Sequence, residues 1–159
     1  MQTNKDYLNM LENIVKNSSI GSNYAVVQGS SLVKWRNDVP IIFIKDLSEK
    51  QKFYLLQHCL VLMYTPSNEH FGIVPVEAMI SSCPVIATNT GGLKETIRND
   101  EVCGILCDDQ IPNPFEKALE RVLDDVKWSK EMGNSGRKRA IQEFSLTSMG
   151  RNLSRVVQK

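Results

Sequence analysis

The sequence predicts an α/β fold, a parallel sheet flanked by helices, and three observations predict it. Short apolar runs recur at residues 39–44 (VPIIFI), 60–65 (LVLMYT) and 84–88 (PVIAT). Uninterrupted apolar strands are what a sheet covered on both faces requires. The second and third runs each lead into a polar loop containing glycine, and each loop leads into a helical pattern. From residue 113 onward the apolar spacing is helical almost to the end.

Taken in order, Tyr7, Leu8, Met10, Leu11, Ile14 and Val15 recur at helical spacing, so residues 4–16 form an amphipathic helix. A helical opening is unusual for a doubly wound domain. Residues 17–38 are polar and read as a long loop, with one short strand at 25–28. Residues 39–44 form a buried strand. The run Ser48-Glu49-Lys50-Gln51 is a capping box that opens a helix bearing Phe53, Leu55, Leu56 and Leu60. His58, near the end of that helix, reads as a C-terminal cap or packing residue. After the 60–65 strand and its loop, a helix opens at about Pro75, because proline suits a first turn where its missing N–H is not needed. The 84–88 strand, the helical segment LKETI and a fourth strand at 104–107 (GILC) follow. Helices are expected from Asn113 or Pro114 to about Val126, over 129–144 and over 146–157. No repeat or linker divides the chain, so residues 1–159 are read as one domain.

Composition narrows the function. With 42% hydrophobic residues the chain can bury a core, and a net charge of +1 gives no electrostatic case for nucleic acid or an anionic membrane surface. The run Arg137-Lys138-Arg139 is expected to be a solvated helix face. The longest apolar runs fall well short of the ~20 residues of a spanning helix. The four cysteines, Cys59, Cys83, Cys103 and Cys107, lack metal-site spacing and read as core thiols, as does Met79 as a core side chain. Asn17-Ser18-Ser19 and Asn152-Leu153-Ser154 match the glycosylation pattern, which matters only in a secreted protein.

The candidate site lies in the two glycine-bearing loops. Ligands of open α/β sheets sit beyond the carboxyl ends of the strands, where helix N-termini offer N–H groups and partial positive charge to an anion. Glu69 in the first loop and Glu77 in the following helix are separated by seven residues and should bracket a ligand. A carboxylate accepts two hydrogen bonds at once, so Glu77 could grip the vicinal hydroxyls of a ribose while Glu69 reaches a sugar hydroxyl or the reacting centre. Gly72 permits close approach, letting the N–H groups from Phe71 through Ile73 and Val74 face a diphosphate or sugar. His70 is either a ligand contact or a hydrogen-bonded loop residue. Asn89, Thr90, Gly91 and Gly92 should line the same crevice from the second loop. No Asp-x-Asp pair accompanies the loops, and Asp108-Asp109 is adjacent, so neither a metal nor a cofactor is implied.

At these residues the chain resembles retaining glycosyltransferases of the two-domain GT-B type (family 4), whose E-x7-E motif is matched by Glu69 and Glu77. The wording TPSNEHFGIVPVEAM followed by PVIATNTGG is similar to the mannosyltransferases of the dolichol pathway, and DLSEKQKFYLLQHC and EMGNSGRKRAIQEFS extend the likeness over most of the chain. Leu93 departs from the family, which commonly has proline after Gly-Gly. The resemblance implies a Rossmann-like C-terminal half of a GT-B fold. It implies a GDP-mannose donor, a dolichol-diphosphate-linked oligosaccharide acceptor and a place on the cytosolic face of the endoplasmic reticulum membrane. Glu69 would be catalytic and the other loop residues, with Glu77, would bind the donor. It also implies an N-terminal acceptor-binding domain and two further strands carrying an Arg and a Lys that clamp the diphosphate, and no segment of this chain matches them. In the family's strand order, residues 39–44 would then either pair with 60–65 in a shifted sheet or leave a gap. Low stability alone, a truncated gene or half of a split enzyme with a partner polypeptide, and inactivity of the fragment are the corresponding expectations. The C-terminal helix crosses to the N-terminal domain in such enzymes. The alternatives are a non-catalytic nucleotide-sugar-binding or interaction module, or another retaining GT-B transferase.

Overall fold

A computed structural model describes residues 4–28, 38–98, 101–108 and 113–157. The chain divides into two compact units, Met1–Lys52 and Phe53–Lys159.

In the first unit helix α1 (Asn4–Lys16) precedes strands β1 (Tyr24–Gln28) and β2 (Ile41–Lys45). The strands run parallel over their whole length, from Tyr24 opposite Ile41 to Gln28 opposite Lys45. The Tyr24 ring meets Phe43 edge-on with centroids 5.6 Å apart, and its hydroxyl donates to Glu12 of α1 at 2.9 Å. This corrects one of the two expectations for residues 39–44: among the described residues the strand pairs with β1 and not with 60–65, and residues 41–45 and 62–64 belong to separate sheets. The capping box forms as the residues require. Gln51 N donates to Ser48 Oγ at 3.3 Å and Ser48 N to Gln51 Oε1 at 2.9 Å, at the start of α2 (Glu49–His58).

The second unit is built on strands β3 (Leu62–Tyr64), β4 (Val85–Thr88) and β5 (Ile105–Cys107), parallel and in the order β3-β4-β5. Helix α3 (Ile73–Ile80) connects β3 to β4, and α4 (Leu93–Thr96) follows β4. Every residue of the central strand is buried. Successive strand residues face opposite sides. Val85 and Ala87 accordingly join Leu56, Met79, Leu93 and Ile97 in one core, while Ile86 joins Ile105, Val122 and Met132 in the other. Helices α5 (Pro114–Asp124), α6 (Val126–Phe144) and α7 (Leu146–Val157) complete the unit. Helix α6 begins three residues earlier than its apolar spacing predicts, because the Asp125 carboxylate accepts the amide of Trp128 at 2.9 Å and caps it. Met79 is fully buried, as expected.

Helix α3 also starts early, at Ile73, with Gly72 at its N-cap in the left-handed conformation (φ 85°). Pro75 therefore lies in the first turn, where no amide is needed in any case. Cys83, Cys103 and Cys107 are buried, but Cys59 is exposed just beyond α2, which corrects its placement in the core. His58 is exposed as well; its Nδ1 lies 2.7 Å from the Tyr54 carbonyl and its ring stacks on Tyr54. Asp109 lies outside the described residues. No helix among them is long and apolar enough to cross a membrane.

Candidate functional site

The first loop leaves β3 at Tyr64 and the second leaves β4 at Thr88, so two neighbouring strands deliver both loops to one sheet edge. The loops then lock together through backbone. Gly92 N donates to the Glu69 carbonyl at 3.1 Å. A Cβ on Gly91 would lie 2.2 Å from that same carbonyl oxygen, and one on Gly92 would lie 1.8 Å from the carbonyl oxygen of His70. Only glycine allows this approach, and Gly91 is also left-handed, with φ 52°. Thr88 donates from Oγ1 to the Pro66 carbonyl at 2.7 Å, tying the end of β4 to the start of the first loop.

A third tie comes from α4. Thr96 donates from Oγ1 to the Phe71 carbonyl at 2.7 Å. Four residues after Phe71 stands Pro75, which has no N–H to offer, and the threonine hydroxyl takes that role. The far end of α4 is held by Arg139 of α6, whose guanidinium donates to the carbonyls of Thr96 (3.0 Å) and Glu95 (2.6 Å). Arg137 donates to the Ile80 carbonyl at the end of α3. Arg137 and Lys138 are exposed, as expected of a solvated face, while Arg139 is half-buried; two of the three residues in the run also hold helix ends.

Between the loops lies a cleft of about 450 Å³ lined by Ser67, Asn68, Glu69, His70, Gly91 and Gly92. Its volume falls within the range of about 300–1,000 Å³ typical of small-molecule sites. The Glu69 carboxylate is gripped from two sides. Tyr64 donates its hydroxyl to Oε2 at 2.6 Å, and Phe71 donates its backbone N–H to Oε1 at 3.2 Å. These donors, the phenol foremost, hold the Glu69 carboxyl below its usual range, so it is a carboxylate at neutral pH. Burial, helped by the adjacent carboxylate, pushes the Tyr64 phenol up to about 12, so it remains a proton-bearing donor. The pair suits stabilising positive charge in the cleft; it does not suit releasing a proton there.

The other expected site residues divide. His70 is exposed in the cleft wall. The Phe71 amide is engaged by Glu69, not free for a ligand as expected, and its ring packs edge-on against Phe144 with centroids 5.5 Å apart. Ile73 is exposed and Val74 half-buried at the opening of α3, where the amides after Gly72 begin the helix. Glu77 stands one turn further along α3, outside the cleft wall, with its Oε2 shielded from solvent. Asn89 donates its amide to the Cys107 carbonyl at 2.8 Å, extending the sheet, and Thr90 donates to the Thr88 hydroxyl at 3.2 Å; neither lines the cleft. Sequence reasoning missed Ser67, Asn68, Tyr64, Thr96 and Arg139. Tyr64 was within reach of it, as the last residue of a strand at the ligand-binding edge. Thr96 and Arg139 carry no local signal, since their partners lie 25 and 43 residues away.

Parallel strands flanked by helices, ending in two interlocked glycine loops of which one carries a clamped carboxylate, define a Rossmann-like type of α/β domain. Within that class the chain belongs to the family described as glycosyl transferases group 1, matched over residues 35–139. It is 44% identical over 121 residues to the alpha-1,3/1,6-mannosyltransferase ALG2 of Homo sapiens, covering 75% of this chain and 28% of that protein. With the enzyme of the same name from Rhizomucor pusillus it shares 33% identity over 153 residues, covering 96% of this chain and 33% of that one. The chain thus spans about a third or less of the length of these relatives. Among solved structures it is similar to Anabaena HepE in complex with UDP-glucose, with a TM-score of 0.72 and 18% identity over 98% of this chain and 37% of that one. The C-terminal domain of a glycosyl transferase group 1 protein from Francisella tularensis gives a TM-score of 0.68 at 23% identity, covering 91% of this chain and 66% of that one. At those identities the two structures bear on the fold alone.

Proposed function

We propose that this chain is the donor-binding portion of a retaining mannosyltransferase, which moves mannose from GDP-mannose to a dolichol-diphosphate-linked oligosaccharide at the cytosolic face of the endoplasmic reticulum. One observation carries the reading: a carboxylate, Glu69, fixed by Tyr64 in a cleft facing Gly91 and Gly92, in a chain 44% identical over 121 residues to a protein named as a mannosyltransferase. In the reaction the bond between the mannose anomeric carbon and the diphosphate oxygen breaks, GDP leaves, and an acceptor hydroxyl oxygen bonds to the same face of that carbon as its proton passes to the departing diphosphate. Positive charge develops on the sugar as the diphosphate departs. The Glu69 carboxylate offsets it, or orients the sugar through its hydroxyls. His70 reaches the sugar or phosphate from the same wall, and the amides at the start of α3, from Gly72 to Val74, meet the diphosphate with the favourable end of the helix dipole. Glu77 holds the ribose.

Melting the chain with GDP and GDP-mannose, beside UDP and ADP and with the Glu77→Ala variant, tests the reading. A ligand present at a hundred times its dissociation constant stabilises by about 2.7 kcal/mol. At about 2–4 °C per kcal/mol for a chain of this size, the expected rise is about 5–10 °C. It should be selective for the guanine nucleotides and lost in Glu77→Ala. A cooperative melt unmoved by any of the four would overturn donor binding and favour an interaction module instead.

A further inference from the structure

We propose that Cys59 and Cys83 are a peroxide-responsive dithiol, whose reversible disulfide closes a ring around the loop that carries Glu69. Their sulfur atoms lie 3.1 Å apart, and both thiols are free. The two differ in what reaches them: Cys59 is exposed at the end of α2, while Cys83 is buried in the turn between α3 and β4. The other cysteines, Cys103 and Cys107, are both buried. Oxidants therefore meet Cys59 first.

Chemistry follows the same division. The two sulfurs share a hydrogen bond that either thiol can donate, and that contact, helped by the neighbouring His58, lowers the Cys59 thiol from its usual value, which favours the reactive thiolate there. Cys83 is pushed up by the same bond and by burial, so it stays a thiol. The Cys59 thiolate attacks one peroxide oxygen; the O–O bond breaks, hydroxide leaves, and Cys59 becomes a sulfenic acid. Cys83 then attacks the Cys59 sulfur. The S–S bond forms, its thiol proton joins the departing hydroxyl, and water leaves, so the two thiols give up two electrons in all to one peroxide. The residues are 24 apart in sequence, and the ring so closed contains β3, the Glu69 loop and α3.

The test uses the 159-residue chain, reduced and then treated with hydrogen peroxide; its readouts involve no donor, so it stands or falls apart from the proposed function. The expected product is lighter by about 2 Da, carries a peptide joining residues 59 and 83, and reverts with dithiothreitol. A ring of this size limits the unfolded chain, so the oxidised form should melt about 5–10 °C higher. Cys59→Ser should abolish the mass loss and the shift, whereas Cys103→Ser should leave both. Accumulation of Cys59 carrying two or more oxygens while Cys83 remains open to alkylation would overturn the proposal. So would a bridge through Cys103 or Cys107.

Discussion

Replacing Gly92 with alanine tests the interlock of the two loops. The new methyl would lie 1.8 Å from the His70 carbonyl oxygen, 2.5 Å from its carbon and 3.0 Å from the Phe71 Cα. All three neighbours are backbone, so no flexible side chain can swing aside. Overpacking of this kind costs about 1–3 kcal/mol when the surroundings shift to relieve it. The shift must also stretch or break the bond from Gly92 N to the Glu69 carbonyl, worth about 0.5–1.5 kcal/mol. Together these give a loss of about 2–4 kcal/mol, hence a melting temperature lower by about 5–15 °C. Gly150→Ala is the matched control, because nothing lies within 4 Å of a Cβ there and the residue is inside α7. There alanine should stabilise by up to about 1 kcal/mol through helix propensity. Thermal melts of the three proteins side by side make the measurement. Gly92→Ala melting within about 1 °C of the parent would refute the claim that the loops are locked by backbone contact.

Two further substitutions probe the ties around the cleft. Tyr64→Phe should let the Glu69 carboxyl rise toward its ordinary 4.5, though not fully, because the Phe71 amide still donates. A carboxyl whose folded pKa is depressed adds stability above its unfolded pKa and loses it as pH falls through the folded one. The stability gap between parent and variant should therefore be largest at neutral pH and vanish in acid; carbon-detected NMR titration of Glu69 and melts across pH check both, and a gap unchanged in acid would refute the assignment. Thr96→Val, nearly equal in volume, leaves the Phe71 carbonyl without its hydroxyl donor and should cost about 1–3 kcal/mol in urea unfolding at an unchanged slope; a loss below about 0.5 kcal/mol would show that another donor steps in.

Elements fixed by local pattern were legible in the sequence: the buried strand at the centre of the second unit, the capping box at Ser48 and the two glycine loops all follow from neighbouring residues. The partner of β2 was less so. Residues 24–28 sit in a polar stretch, and their strand is stabilised by its pairing, with the Tyr24–Phe43 contact and the Tyr24–Glu12 hydrogen bond to reinforce it. Helix α3 begins before Pro75 because the left-handed Gly72 sets its start, a backbone fact that spacing does not reveal. In the site, Glu69 and the glycines were readable from their motif, but what clamps them was not. Arg139 looked like one more surface cation until α6 brought it against the carbonyls of α4. Cys59 was misplaced for the opposite reason: it follows a helix with apolar spacing, yet of that helix only Leu56 is buried and residues 57–59 are exposed.

The interlocked loops have a consequence for anyone who would retune this cleft. Because Gly91 and Gly92 touch the main chain at Glu69 and His70, lengthening or reshaping one loop displaces the other. The two cannot be grafted or diversified as separate cassettes; they must travel as a matched set, with Thr96 and Arg139 included as their fasteners. A change of ligand would have to be written into side chains at the cleft wall, chiefly Ser67, Asn68 and His70, while the frame itself stays constant.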